Sequence, residues 1–265
     1  MPKTQINGLN IHYERAGSGE RLLFISGTGA DLRNKPNSFD GPLGKTFDML
    51  SYDQRGLGQS DKPDQAYSMA DYADDAAAVM ADQEWDHALV VGVSFGGMVA
   101  QELALRHPGR VQRLVLACTS PGGEGGASFP FHEIGDLAGE ARAKHLMPIS
   151  DTRRNATWAR ENPQDYAQLL ALAAADPFAG EPGRAEGAKR QLAARAKHDV
   201  WDRLPNLKVP TLIAAGKYDG IATPQTQLGL AMRIPGSCLR FFEGGHLFML
   251  QDRSANPAII EFLRT

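Results

Sequence analysis

Gly92-Val93-Ser94-Phe95-Gly96-Gly97 follows the apolar run Ala88-Leu89-Val90-Val91 and precedes Met98, Val99, Leu103 and Leu105, which recur at helical spacing. Strand, sharp turn at a serine, helix is the setting in which a G-x-S-x-G match carries chemical meaning. A side chain lifted onto a strained turn needs neighbours without a Cβ, both for the backbone angles and so that strand and helix can approach closely. A plain strand-to-helix turn also accepts a serine, so the weight of the motif rests on what the remaining chain supplies.

On either side, strand and helix patterns alternate. Residues 6–10 and 11–15 alternate apolar and polar around Asn7-Gly8 and read as opening strands. Residues 21–26, 47–53, 87–93, 111–118, 209–216 and 237–243 are the further strand candidates. Residues 67–85 form a long helical pattern, with Tyr72, Ala76, Val79 and Met80 as the buried stripe and Asp71, Asp74 and Asp75 toward water. Residues 258–263 belong to a closing helix. Mostly apolar strands alternating with helices predict an α/β fold, a parallel sheet covered on both faces. The rhythm breaks once. Residues 119–130 are rich in Gly, Ser and Pro, and helical patterns follow at 140–145, 152–160, 165–175 and 187–200. A crossover between parallel strands needs only about a dozen residues. Residues 119–207 are therefore expected as a helical cap inserted into a core formed by 1–118 and 208–265.

Composition bounds the function. The chain has 265 residues, 42% hydrophobic and 22% charged, with a net charge of −3, as in an ordinary globular domain. No block of like charge points to nucleic acid or a membrane surface, and no run of about 18 apolar residues predicts a membrane span. Residues 1–20 lack the apolar stretch of a signal peptide. Cys118 and Cys238 both fall in strand patterns and read as reduced core residues of a cytoplasmic protein. The seven histidines are scattered singly, with no metal-ligand spacing, so neither metal nor cofactor is expected and the partner is a small-molecule substrate.

A serine hydroxyl needs a base to take its proton and a carboxylate to hold that base. His246, in Glu243-Gly244-Gly245-His246, follows the last strand, where two glycines let the chain turn and present the ring beyond the sheet. His12, His87 and His107 sit at unsuitable places, and His132, His145 and His198 fall in or beside the cap, where solvated positions are expected. Asp219 follows strand 209–216, at the carboxyl ends of strands where sites in open α/β sheets collect. Asp53 is the rival acid, but Arg55 beside it offers an ion pair stapling the loop. Two N–H donors must face the developing oxyanion, each worth about 3 kcal/mol. One is the amide of Phe95 at the start of the helix; the other is that of Thr28, between Gly27 and Gly29.

Gly92-Val93-Ser94-Phe95-Gly96, Asp53-Gln54-Arg55-Gly56-Leu57-Gly58-Gln59-Ser60, Asp219 in its Tyr-Asp-Gly context and Gly245-His246 together resemble the α/β-hydrolase superfamily over essentially the whole chain. The texture is similar to small bacterial serine esterases, enol-lactonases and cofactor-free haloperoxidase-like enzymes. The resemblance implies an eight-stranded, mostly parallel sheet, a helical cap and a Ser94–His246–Asp219 triad. One departure stands out: the family usually has His-Gly where this chain has Ser26-Gly27, and that histidine normally braces the oxyanion loop. A serine nucleophile argues against the dehalogenases and epoxide hydrolases of the fold, which use aspartate. Hydrolysis of a carboxylic ester or lactone is the leading expectation. Cleavage of a C–C bond in a diketone-like ring-cleavage product and a slow-turnover ligand sensor are the alternatives. Phe129, Phe131, Leu146, Met147 and Trp158 of the cap, with Ile221, Leu247 and Phe248 of the core, are candidates to line a mostly apolar substrate pocket, although each also suits plain cap–core packing.

Overall fold

The computed structural model describes residues 3–265. Eight strands, β1 (Lys3–Ile6), β2 (Leu9–Ala16), β3 (Arg21–Ile25), β4 (Asp48–Tyr52), β5 (Ala88–Val93), β6 (Val111–Ala117), β7 (Thr211–Gly216) and β8 (Cys238–Phe242), form one sheet in the order β1-β2-β4-β3-β5-β6-β7-β8. Only β2 runs against its neighbours; every pairing from β4 to β8 is parallel. The helices are α1 (Pro42–Thr46), α2 (Met69–Asp82), α3 (Phe95–Arg106), α4 (Gly139–Ser150), α5 (Ala156–Glu161), α6 (Pro163–Ala174), α7 (Arg184–Ala196), α8 (Pro224–Arg233), α9 (Phe248–Gln251) and α10 (Ala255–Arg264). No helix among the described residues is long and apolar enough to cross a membrane.

The continuous apolar runs have a simple cause. Consecutive strand residues point to opposite faces, and both faces are covered. Leu23, Leu50 and Val90 join Tyr72, Met80 and Leu103 of α2 and α3 on one side. Their neighbours Leu22, Met49, Leu89 and Val91 join Ile259 and Leu263 of α10 on the other. Each such side chain removed from water contributes about 1.5–3 kcal/mol. Cys118 lies in this core, but Cys238 is exposed, contrary to expectation. It stands on β8, an edge strand whose outer positions have no neighbour to cover them.

Helix α2 is shorter than its periodicity suggests, because a reciprocal cap sets its start. The Ser68 hydroxyl accepts from the Asp71 amide (3.1 Å), and the Asp71 carboxylate accepts from the Ser68 amide (2.8 Å). Tyr72, Ala76, Val79 and Met80 form the buried stripe. Asp75, expected in water, is fully buried instead. Arg55 reaches it from the loop after β4 with two bonds, Nε to Oδ2 at 2.6 Å and an Nη to Oδ1 at 2.8 Å. A helical pattern cannot announce a cation that arrives from 20 positions upstream.

Between β6 and β7 the chain forms α4 to α7 with short 3-10 turns on either side. Helices α4 and α6 share a small apolar centre of Ala143, Met147 and Leu170, with Trp158, Tyr166 and Leu169 packed around it. His132 and His145 are exposed there, but His198 is 6% exposed, so the expectation of solvation fails for it. Burial pushes the His198 ring down to about 4.

Two predictions follow from the packing. Asp75→Ala leaves the buried Arg55 guanidinium with only the half-exposed Asp71 carboxylate at 3.4 Å, and should lower the free energy of unfolding in urea by about 3 kcal/mol; a loss below about 1 kcal/mol would contradict this reading. His198 is neutral in the fold, while the unfolded chain protonates it near pH 6.5. Its contribution, complete above about pH 6.5, is lost as pH falls toward 4, and amounts to about 3 kcal/mol. Urea midpoints of His198→Gln should therefore vary less between pH 7 and pH 4 than those of the wild type.

Candidate active site

Ser94 stands between β5 and α3 with φ 55° and ψ −116°. That region costs a residue with a Cβ about 1–3 kcal/mol, so the surroundings must hold it there. They do so from several directions. The Ser94 amide donates to Ala117 O (2.8 Å), and the Ser94 carbonyl accepts from Thr119 Oγ1 (2.7 Å) and from the amides of Gly97 (2.9 Å) and Met98 (3.3 Å). Two glycines let the segments meet. A Cβ on Gly92 would lie 2.4 Å from Gly96 O, and one on Gly96 would lie 2.0 Å from Ile25 O. Any other residue at either position would push α3 away from the ends of β5 and β3.

His246, after β8, brings Nε2 to 2.9 Å from Ser94 Oγ and Nδ1 to 2.8 Å from Asp219 Oδ2. Asp219, after β7, has a fully buried side chain whose other oxygen accepts from the amides of Ile221 (2.7 Å) and Ala222 (3.0 Å). A carboxylate facing Nδ1 requires the proton there, which leaves Nε2 to accept from the serine hydroxyl. The cap holds both loops. The His246 amide donates to Ser150 O (2.6 Å) at the end of α4, and the Gly220 amide donates to Ile149 O (2.9 Å). In return, Tyr218 O accepts from the Thr152 amide (2.9 Å).

Asp53 lies outside this relay. It is buried, and its oxygens accept the amides of Leu32 (2.8 Å) and Gln59 (2.9 Å). Burial raises its carboxyl above the ordinary range, against the pull of those amides. The expected Asp53–Arg55 pair does not form, because Arg55 is committed to Asp75 and, at 3.4 Å, to Asp71. Asp53 still staples loops, through backbone amides instead of through a cation.

The loop after β3 passes Ser94 at van der Waals distance: a Cβ on Gly27 would lie 3.5 Å from Ser94 Cβ. Ser26, where the family usually has histidine, offers its carbonyl to Gln54 Nε2 (2.8 Å). The Gly29 amide donates to Gln191 Oε1 of α7 (2.9 Å). Among the described residues, neither the Thr28 nor the Phe95 amide has an acceptor within the protein. The Phe95 amide opens α3, where helix geometry leaves such donors free.

A cavity of about 370 Å³ lies beside the relay. His246 lines it, with Phe24, Leu32, Val93, Leu247 and Met249 among its apolar walls. Two carboxylates line it: Asp53, and Asp31, which hydrogen bonds from Arg33 and Arg184 hold below its usual range against the effect of burial. Of the eight candidate pocket residues, Leu247 lines this cavity and the others lie elsewhere. Phe248 is stacked on Phe242 (5.3 Å) inside the core, and Met147 fills the centre of the cap with Leu146 and Trp158 half-buried nearby. Phe129 and Phe131 meet edge to face at 5.2 Å, with Arg195 over the Phe131 ring, and the Phe129 amide donates to Ile221 O (2.8 Å). Most of the lining residues fall within 24–43, the larger part of them in the connection between β3 and α1, which carries no periodic signal.

Cys118, Asp219 and His246 bring donor atoms within 4.8 Å of one another, the one such trio among the described residues. Two of those atoms are already bonded to each other in the relay, and burial raises the Cys118 thiol well above its usual range.

The chain is 31% identical over 263 residues to the 2-hydroxymuconate semialdehyde hydrolase of Pseudomonas sp. (strain CF600), covering 96% of this chain and 89% of that one. It is 26% identical over 259 residues to 3-oxoadipate enol-lactonase 2 of Acinetobacter baylyi (strain ATCC 33305 / BD413 / ADP1), covering 95% and 91%. The crystal structure of the enol-lactonase from Burkholderia xenovorans LB400 superposes with a TM-score of 0.80 at 25% identity, covering all of both chains. Residues 20–252 match the family model for the alpha/beta hydrolase fold, and the chain belongs to the α/β-hydrolase family.

Proposed function

We propose that the chain is a serine hydrolase that cleaves a carboxylic ester or lactone of a small, mostly apolar substrate. The observation that carries this reading is the continuous relay from Asp219 through His246 to Ser94, at 2.8 and 2.9 Å. In this reading Ser94 Oγ attacks the carbonyl carbon while His246 Nε2 takes its proton, and Asp219 steadies the resulting imidazolium. The amides of Phe95 and Thr28 receive the oxyanion. Collapse expels the alcohol, which takes the proton from His246 and leaves an acyl group on Ser94. Water then enters by the same route in reverse order of groups and frees the acid. The apolar part of the 370 Å³ cavity, with Phe24, Leu32, Val93, Leu247, Met249 and Leu250 in its walls, suits a hydrocarbon portion of the substrate. Similarity to enol-lactonases supports the lactone side of the reading. Similarity to a 2-hydroxymuconate semialdehyde hydrolase supports a second reading, hydrolysis of a diketone-like ring-cleavage product on the same groups. The two unpaired cysteines suit a reducing compartment such as the cytoplasm.

A p-nitrophenyl ester series tests the first reading. Ser94→Ala should lower kcat by at least about 10⁴-fold and abolish fluorophosphonate labelling, and Asp219→Asn should lower kcat by about 10³–10⁴-fold. Asp53→Asn should weaken folding yet keep the labelling; the opposite pattern at the two aspartates would transfer the acid role to Asp53. Turnover of a vinylogous diketone without ester hydrolysis would favour the second reading. Slow turnover with a large ligand-induced rise in Tm would instead mark a sensor. Filling the cavity by Leu32→Trp should reduce kcat/KM for a hexanoate ester at least about tenfold while changing that for the acetate less than about threefold; equal losses would place the acyl chain elsewhere.

A further inference from the structure

The loop that carries Thr28 is soft by composition. Gly27 and Gly29 flank the residue, and Gly29 has φ +71°. Glycines that let a backbone pass close to Ser94 also let its peptide planes rotate at little cost. Such a loop keeps one amide aimed at a fixed point only if its neighbours are tied. Two ties come from the core, Gln54 to Ser26 O and the Leu32 amide to Asp53. The tie nearest Thr28 comes from the cap: Gln191 Oε1 takes the Gly29 amide at 2.9 Å, across 162 positions of sequence. Gln191 is fully buried on α7, and its remaining donor, Nε2, has no partner. An amide side chain left half-satisfied in the interior is retained at a cost, which points to the bond it does make.

Helix α7 is a firm support for that bond. Gly187, one turn before Gln191, packs so closely that a Cβ there would lie 1.9 Å from Gly56 O. Arg190 reaches Pro63 O and pairs with Asp64. The first residue of α7 and the turn before it grip the same loop a second time. Arg184 bonds Asp31 (2.9 Å), and Glu181 takes two bonds from Arg33 (2.5 and 2.8 Å).

We propose that Gln191 is a positioning residue for the oxyanion loop: by holding the Gly29 amide it fixes the adjoining Thr28 amide beside Ser94, so that seating of α7 completes the oxyanion hole. The cap then does part of the work that the family's loop histidine does elsewhere. This rests on the serine-hydrolase reading, and the test separates the two.

The test compares wild type with Gln191→Met, which keeps the length and removes the acceptor, Gln191→Asn, which keeps the polarity but falls short of Gly29, and Gln191→Glu, which keeps an acceptor oxygen in place. Each is assayed for kcat and KM on a p-nitrophenyl ester. Each is also titrated with a trifluoromethyl ketone, to whose carbonyl carbon Ser94 Oγ adds, sending its proton to His246 and leaving the oxyanion in the hole, and with the matching methyl ketone, which does not add. The Met and Asn variants should lose about 10–100-fold in kcat with KM within about threefold of wild type. They should lose trifluoromethyl ketone affinity by a similar factor while methyl ketone affinity is unchanged, and the Glu variant should recover most of both. Unchanged kcat in the Met and Asn variants, or equal weakening of the two ketones, overturns the proposal. If the Met variant does not fold, the Asn and Glu pair decides by the same ratio. Fluorophosphonate labelling of wild-type Ser94 stands apart: without it the serine-hydrolase reading fails and this proposal with it, whereas labelling with indifferent Gln191 variants removes this proposal alone.

Discussion

Ser94 keeps its side chain above the sheet only because its backbone is held where an L-residue does not rest, at φ 55°. The restraint is collective. β6 supplies an acceptor through Ala117, Thr119 binds the Ser94 carbonyl, and α3 closes its first turn on the same oxygen. These elements can converge because Gly92 and Gly96 leave room for the helix to lie against two strands. The geometry of the relay is thus a by-product of tight packing at the middle of the sheet. The strand that brings Asp219, β7, is there because apolar residues on both its faces had to be covered, and β8, which brings His246, pairs along its edge.

This dependence explains which parts of the molecule were legible from the residues alone. The central parallel strands were, since burial on both faces leaves a continuous apolar run, and the opening pair was through its alternation around Asn7-Gly8. The placement of Ser94, Asp219 and His246 beyond strand ends was as well, because each follows a strand in a setting of glycines or a tight turn. What escaped were contacts made by partners distant in sequence. Asp75 looks like a solvated helix position until Arg55 arrives, and Asp53 looks like its ion-pair partner until Arg55 is seen to be taken. His198 was misjudged for the same reason: its burial belongs to the seam between cap and core. The cavity leaves no sequence signal because many of its walls belong to the connection between β3 and α1, which no periodicity marks.

The substitution at Ser26 shows how such a fold tolerates a departure. The loop after β3 is tied by Gln54, Asp53 and Gln191, none of which forms a recognisable motif with it in sequence. Each tie is an ordinary hydrogen bond to a backbone group, worth only about a kilocalorie per mole by itself. Together they define a loop whose glycines would otherwise leave it undefined. Gln191 in particular reads as one more polar residue in an amphipathic helix, and only its burial against Gly29 distinguishes it.

The carbonyls of Ile149 and Ser150, which receive the amides of Gly220 and His246, alter what kind of object the cap is. An insertion between two strands invites treatment as a module, to be exchanged among relatives when a different specificity is wanted. Here the inserted chain is stitched to the loops on which two members of the relay are carried. A transplant that ignored those stitches would change the alignment of Asp219 and His246 with Ser94. Diversification of this stretch is therefore freest at its outer helices, and most constrained at the end of α4, where it is sewn to the core.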